Sequence, residues 1–330
     1  MPLFSSPLLV HLPVSSFAMV MGLSGLALVW GRVSVMGWLP SLAPIMANGL
    51  GLLAGLVFFL LLMRYLTRCL TDAQQVRAEW QHPVKSAFFA AVSVSFALMG
   101  TVALGVFAPL ALPLWLIGAV LQIVVMVTIL NAWVHREGLQ PLHANPAWFI
   151  PAVANVVIPL GGVRLGFLEV SWWFFAVGLL FWVVMLTLVM GRMLFVQPPL
   201  PERLMPTLCI FLAPPAVGFL SWMLLTGQHA DGRDIDWMGH ALFGVALFFA
   251  IFLASQVPRF MRLPFYLSWW AFSFPVAAFT AACLVYSDFV PLPIIQGLAM
   301  LMVGLSTALI VWLFVRTIVA VARQEPQLID

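Results

Sequence analysis

The side chains that could carry out chemistry in this sequence are few, and their spacing fits no common catalytic or metal-binding motif. No two histidines are three or four residues apart, and Cys69, Cys209 and Cys283 are widely separated. The sequence contains neither the GxxxxGK[ST] loop that binds nucleotide phosphates nor the GxSxG turn of serine hydrolases. We therefore expect no enzyme, no metal site, no cofactor and no nucleic-acid partner.

The charged residues are also in the wrong places for a proton-coupled carrier. Hydrophobic residues make up 64% of the chain and charged residues 8%, whereas soluble domains carry about 25% charge. The 14 basic and 11 acidic residues all fall in predicted loops or near the ends of apolar runs. Carriers that couple to protons usually hold ionisable groups within the membrane. What remains for this chain is passive permeation.

Long apolar runs recur along the whole chain, and mean hydropathy is +1.10. Runs of this length indicate membrane-spanning helices. We predict an all-α integral membrane protein in which residues 1–330 form a single transmembrane domain with no soluble domain. The ten predicted spans are residues 13–31, 44–66, 86–106, 110–133, 147–163, 172–195, 205–225, 237–256, 267–286 and 293–319.

The distribution of basic residues predicts the orientation. Eleven Lys and Arg residues lie in loops on the side of the two termini, and three, Arg32, Arg164 and Arg233, lie on the other side. Because cytoplasmic loops carry the excess of basic residues, both termini are predicted to be cytoplasmic, in the inner (plasma) membrane. A positive mouth could concentrate anions, although membrane insertion alone demands the same bias.

The odd-numbered spans carry faces of small residues at helical spacing, and three of them carry interior prolines. Proline frees a backbone carbonyl, which lipid tolerates only where the backbone is buried or lines a cavity. If the odd spans form an inner ring and the bulkier even spans an outer wall, these faces surround a pore. The residues predicted to line it or to kink its helices are Ser15, Gly22, Ser93, Ala97, Pro151, Pro214, Gly218, Pro275 and Ala278. The alternative is that small residues simply let helices approach closely, as Gly51 and Gly55 do on an even span.

Phe274 is the one bulky residue on the small face of the ninth span, which continues with Ala277, Ala278 and Ala281. The adjacent Pro275 prevents a straight helix, so the turn that holds Phe274 can lean towards the axis. The ring then either plugs the pore or packs between helices.

Five stretches resemble the tellurite-resistance/dicarboxylate transporter family of TehA type, whose plant members are the guard-cell slow anion channels. They are residues 12–30, 75–89, 146–157, 212–222 and 268–279, the last reading SWWAFSFPVAAF. The resemblance implies five helical hairpins in quasi-fivefold order around one pore, three protomers per assembly, and a phenylalanine gate at Phe274.

The leading hypothesis is a gated passive channel for small monovalent anions such as chloride or nitrate, embedded in membrane lipids. An apolar pore replaces hydration poorly, so weakly hydrated anions should pass more readily. Two alternatives remain open. The first is a secondary carrier or exporter of C4-dicarboxylates, sulfite or tellurite, and the second is a membrane scaffold without transport activity.

Overall fold

A computed structural model describes residues 12–227 and 234–325, where all regular secondary structure is helical. Nine of its helical segments are long and apolar enough to cross a membrane, and Pro146–Gly162 is a shorter apolar segment. The prediction of an all-α membrane protein is confirmed. The ten spans are Val14–Val35, Ala43–Thr71, Lys85–Val106, Ala108–His135, Pro146–Gly162, Leu168–Phe195, Glu202–Leu225, Trp237–Phe260, Leu267–Phe289 and Pro293–Ala322. Arg233, part of the predicted charge asymmetry, lies outside the described residues.

Odd and even spans differ sharply in burial. In an 18-residue stretch of the first, third, seventh and ninth spans, 72–78% of the residues are buried. In the five even spans the corresponding share is 22–33%. The even spans therefore face outwards, where lipid is the expected neighbour, and the odd spans form the interior.

The helix contacts follow a simple order. Each odd span packs against the even span that follows it in the chain. The first span also packs against the third, the third against the fifth, the fifth against the seventh, the seventh against the ninth, and the ninth against the first. These contacts join the five buried spans in a closed sequence.

Pro214 and Pro275 lie just after a change of helix type in their spans. The seventh span runs as a 3₁₀ helix over Glu202–Leu212 and becomes α-helical at Ala213, so Pro214 lies in the first α-helical turn. The ninth span changes in the same way at Ser273, and Pro275 is the third residue of its α helix. A proline in a first turn costs little, because the N–H groups there have no intrahelical partner. Pro275 thus follows the irregular segment and does not interrupt a continuous helix.

The fifth span is the most irregular, with 3₁₀ segments at Pro146–Trp148 and Ala154–Val157 that alternate with short α-helical segments. Side chains of the fourth span bind its backbone. Gln122 Nε2 donates to the Pro151 carbonyl at 2.9 Å, and Trp115 Nε1 donates to the Ile158 carbonyl at 2.9 Å. Gln122 Oε1 in turn accepts from Ser93 Oγ at 2.7 Å. Since lipid offers no hydrogen bonds, these donors satisfy carbonyls in the broken helix.

Candidate functional site

Two cavities lie along the interior of the bundle. The smaller cavity, about 190 Å³, is lined by the segments at which the odd spans begin, including Ser15, Phe149, Thr207 and Ser268. All five odd spans contribute to it, and no even span does so in the described part of the chain. The larger cavity, about 860 Å³, is lined mainly by the opposite ends of the same spans.

Phe274 and Val217 are the described residues that line both cavities. The Phe274 side chain is buried, with 7% of its surface exposed, and Val217 is 1% exposed. The two cavities therefore meet at these side chains, and the aromatic ring is the larger obstacle between them.

Gly25 of the first span provides the space beside this ring. A Cβ atom at Gly25 would lie 3.4 Å from Cδ2 of Phe274 and 3.0 Å from Cβ of Ala277. Ala277, Ala278 and Ala281 continue from Phe274 along the wall of the larger cavity. A glycine on one helix and alanines on the other thus leave Phe274 as the bulky group at this level.

Phe272, two residues earlier, lies in different surroundings. Its ring contacts Phe260 edge-on, with centroids 5.0 Å apart, and stacks on Trp269 at 5.3 Å. Phe272 lines neither cavity. It is therefore a matched control for Phe274, on the same span and with the same side chain.

The structure brings half of the predicted lining residues to the cavities. Ser15, Pro214 and Pro275 line the smaller cavity, Ala278 lines the larger one, and Phe274 lines both. They come from the first, seventh and ninth spans.

Gly22 and Gly218 lie in helix contacts and line neither cavity. A Cβ at Gly22 would lie 2.2 Å from Ser273 Oγ, so this glycine allows the first and ninth spans to touch. A Cβ at Gly218 would lie 3.5 Å from Leu242 of the eighth span. Gly22 thus serves close helix contact, the alternative role of small residues in a membrane, whereas a Cβ at Gly218 would make an ordinary van der Waals contact.

Ser93, Ala97 and Pro151 also lie outside both cavity linings. A Cβ at Gly118 of the fourth span would lie 2.4 Å from the Ala97 nitrogen, so the third and fourth spans are in close contact here. Ser93 and the Pro151 carbonyl both bind Gln122 of the same fourth span. The small face of the third span thus points towards its hairpin partner.

The smaller cavity opens among basic groups. His82, Lys85 and Arg203 line it. Burial lowers the pKa of His82 below its ordinary value, and the positive charges of Lys85, Arg203, Arg136 and His143 lower it further. Lys85 and Arg203 make the mouth positive, which favours anions there.

Glu79, which also lines the smaller cavity, is neutralised by a buried partner. Its Oε1 accepts from Arg68 at 2.9 Å, and both side chains are largely buried. Arg68 also donates to the Leu12 carbonyl at 3.2 Å and to Gln75 at 3.0 Å. The pair ties the surface helix Ala73–Gln81 to the segment that leads into the first span and leaves the balance of charge positive.

The charged groups that line the larger cavity are Arg32, Arg164 and Asp288, among the described residues. Arg32 and Asp288 form an ion pair between the ends of the first and ninth spans. Sequence reasoning assigned none of these three, nor Val217, to the interior. An arginine at a span end has the same sequence signal whether it faces a cavity or the outside, and an apolar valine has no signal at all.

A many-span helical protein with paired cavities along its buried spans has the architecture of a membrane channel or transporter. The family model described as SLAC1, voltage-dependent anion channel, matches residues 11–318. The chain belongs to this family.

Individual relatives agree with this assignment. The S-type anion channel SLAH3 of Arabidopsis thaliana is 28% identical over 319 residues, which is 95% of this chain and 49% of the relative. The guard cell S-type anion channel SLAC1 of the same plant is 26% identical, over 94% of this chain and 56% of the relative. This chain thus spans about half the length of these plant relatives.

A bacterial relative is closer in length. A tellurite resistance protein TehA homolog of Haemophilus influenzae is 23% identical over 268 residues, covering 81% of this chain and 79% of the relative. The resemblance to TehA-type proteins and plant anion channels predicted from the sequence is confirmed.

Proposed function

We propose that this protein is a gated passive channel for small monovalent anions, chloride or nitrate, and that the Phe274 ring is its plug. The observation that supports this most directly is that Phe274 lines both cavities. The five helical hairpins stand in quasi-fivefold order around the resulting conduit. The closed sequence of contacts among the buried spans supports that arrangement.

The charge and polarity of the cavities fit an anion. Lys85 and Arg203 at the mouth of the smaller cavity attract anions from solution. Further in, the lining is mostly apolar, as at Ala154, Ala213 and Val217. Such a lining replaces a hydration shell poorly, so nitrate passes more readily than the more strongly hydrated chloride.

The test is current recording from purified protein in a planar bilayer while the anions on one side are exchanged. Wild type, Phe274→Ala and Phe272→Ala are compared. An ohmic current in Phe274→Ala that reverses at the anion equilibrium potential supports the proposal. A folded Phe274→Ala protein that is as silent as wild type contradicts it.

A second candidate is a carrier of C4-dicarboxylates, sulfite or tellurite. The relative named for tellurite resistance favours it, and Arg32 and Arg164 in the larger cavity offer positive charge to a dianion. Electrically silent, proton-dependent uptake into vesicles would support this function. Uptake of that kind without ohmic current would select the carrier.

The proposal includes an orientation and an assembly. Both termini lie in the cytoplasm, so the smaller cavity, with its basic mouth, opens to the cytoplasm and the larger cavity to the other side of the inner membrane. Three protomers assemble within the lipid, each with its own conduit. The positive-inside rule supports the orientation, and the family resemblance supports the trimer.

A further inference from the structure

The larger cavity carries three charges from three different inner spans. Arg32 is near the end of the first span, Asp288 is near the end of the ninth, and Arg164 follows the fifth. The other described residues of this lining are uncharged. The cavity wall thus has two positive charges and one negative charge.

Asp288 occupies the position that an anion would take on Arg32. Its carboxylate is ion-paired with the Arg32 guanidinium, and the two side chains are 24% and 34% exposed. A carboxylate is itself an oxyanion, and guanidinium binds such groups with a rigid set of donors. Because the pair is partly solvated, it is held weakly and can exchange.

Arg164 lines the same cavity and has no hydrogen bond or ion pair within the described residues. Its charge is therefore not cancelled locally, whereas the charge of Arg32 is. A passing anion meets one unpaired guanidinium and one that is already occupied.

We infer that Arg32 and Arg164 form an access site, that is, a site in the larger cavity where small monovalent anions bind on their way through the channel. Asp288 competes with these anions for Arg32. This inference rests on the proposed channel function. Conduction requires an ion to be bound well enough to enter and loosely enough to leave. Asp288 keeps the binding loose by returning to Arg32 after each anion departs.

The experiment uses the Phe274→Ala protein, so that the plug does not limit the current. Conductance is measured against chloride concentration on the side of the larger cavity. Removing one negative charge beside a water-filled anion site changes anion binding on the order of fivefold at moderate salt. Asp288→Asn should therefore lower the half-saturating chloride concentration about fivefold, whereas Arg164→Gln should raise it.

Asp234→Asn is the matched control, because Asp234 is exposed and lies outside the cavity lining. It removes the same charge near the same face and should leave half-saturation unchanged. In an Arg32→Gln background, Asp288→Asn should lose the part of its effect that comes from competition for Arg32 and keep the part that comes from removing a negative charge beside Arg164.

Two results would overturn the inference. If Asp288→Asn lowers the melting temperature but leaves half-saturation unchanged, the ion pair is only a clamp between two helices. If Asp234→Asn has the same effect as Asp288→Asn, the effect is general surface charge.

If Phe274→Ala passes no anion current, the proposed channel fails and line broadening of the ³⁵Cl⁻ resonance decides the access site. Wild-type and Asp288→Asn proteins are then compared directly. Stronger broadening by Asp288→Asn supports the site, and equal broadening rejects it.

Discussion

Gly25 offers a test of how the Phe274 ring is held. A Cβ atom there would lie 3.0 Å from Ala277 Cβ and 3.4 Å from the Phe274 ring. Gly25→Ala therefore requires the ninth span, which carries both residues, to shift by a few tenths of an ångström. Such a shift displaces the ring from the junction of the two cavities. We expect Gly25→Ala to be less stable and to leak anions.

The expected loss of stability in Gly25→Ala follows from a comparison with Gly31→Ala on the same helix. A Cβ at Gly31 meets no described atom within 4 Å. Replacing glycine by alanine stabilises a helix by about 1 kcal/mol. This gain is the same for both substitutions and cancels when their stabilities are compared. Crowding in a closely packed interior costs about 1–3 kcal/mol. Gly25→Ala should thus be less stable than Gly31→Ala by about 1–3 kcal/mol.

Two assays measure the effect. Chemical or thermal unfolding in detergent gives the stability difference, and bilayer recording gives the basal anion current. Gly25→Ala should raise that current over wild type, and Gly31→Ala should leave it unchanged. In an Ala277→Gly background the tight contact is absent, so Gly25→Ala should no longer lower stability relative to Ala277→Gly alone.

The reasoning would be refuted if Gly25→Ala matched Gly31→Ala in stability and wild type in current. It would also be refuted if Gly25→Ala lowered stability as much in an Ala277→Gly background as in wild type. In a Phe274→Ala background Gly25→Ala should add no further current, because the ring it displaces is absent.

Four further predictions concern the gate, the topology, acid sensitivity and assembly. Phe274→Ala should conduct constitutively, on the order of tenfold or more above wild type, because it joins the two cavities; Phe272→Ala should not, and single-channel recording compares them. Reporter fusions after Asp330 and within residues 226–236 should report opposite sides of the membrane. The pKa of His82 is lower in the folded protein than its ordinary value of 6.5 in the unfolded chain. As pH falls below 6.5 the unfolded state therefore takes up the proton first, and the folded protein loses stability. His82→Asn retains an acceptor for the Val84 and Lys85 N–H groups, and its melting temperature should depend less on pH between about 7 and 5 than that of wild type. The anion flux of wild type should vary only gently between about pH 6 and 8. Native mass measurement should give three protomers; a functional monomer or dimer would contradict the assembly.

The sequence predicts the architecture well because the membrane imposes it. Long apolar runs require helices, and their bulky or small character separates outward from buried spans. The boundaries are less predictable where a helix continues beyond the apolar run. The second span was predicted to end at residue 66 and continues to Thr71, because Arg68 binds Glu79 and extends the helix past the apolar segment.

The lining of the cavities is predicted less completely. Helical spacing identifies a small face, but a face that touches another helix has the same composition as one that borders a cavity. On the ninth span the small face lines the larger cavity. On the third span it meets Gly118 of the next helix, and the composition of the face alone does not distinguish the two cases.

The hydrogen bonds from Gln122 and Trp115 to the fifth span have a consequence for biogenesis. During insertion, Pro146–Gly162 is too short and too irregular to enter lipid alone, without the donors that the fourth span supplies to its Pro151 and Ile158 carbonyls. The fourth span, which carries both donors, leaves the ribosome first. Synthesis in this order presents the broken helix with partners already in the bilayer, so the fourth and fifth spans should leave the translocon together.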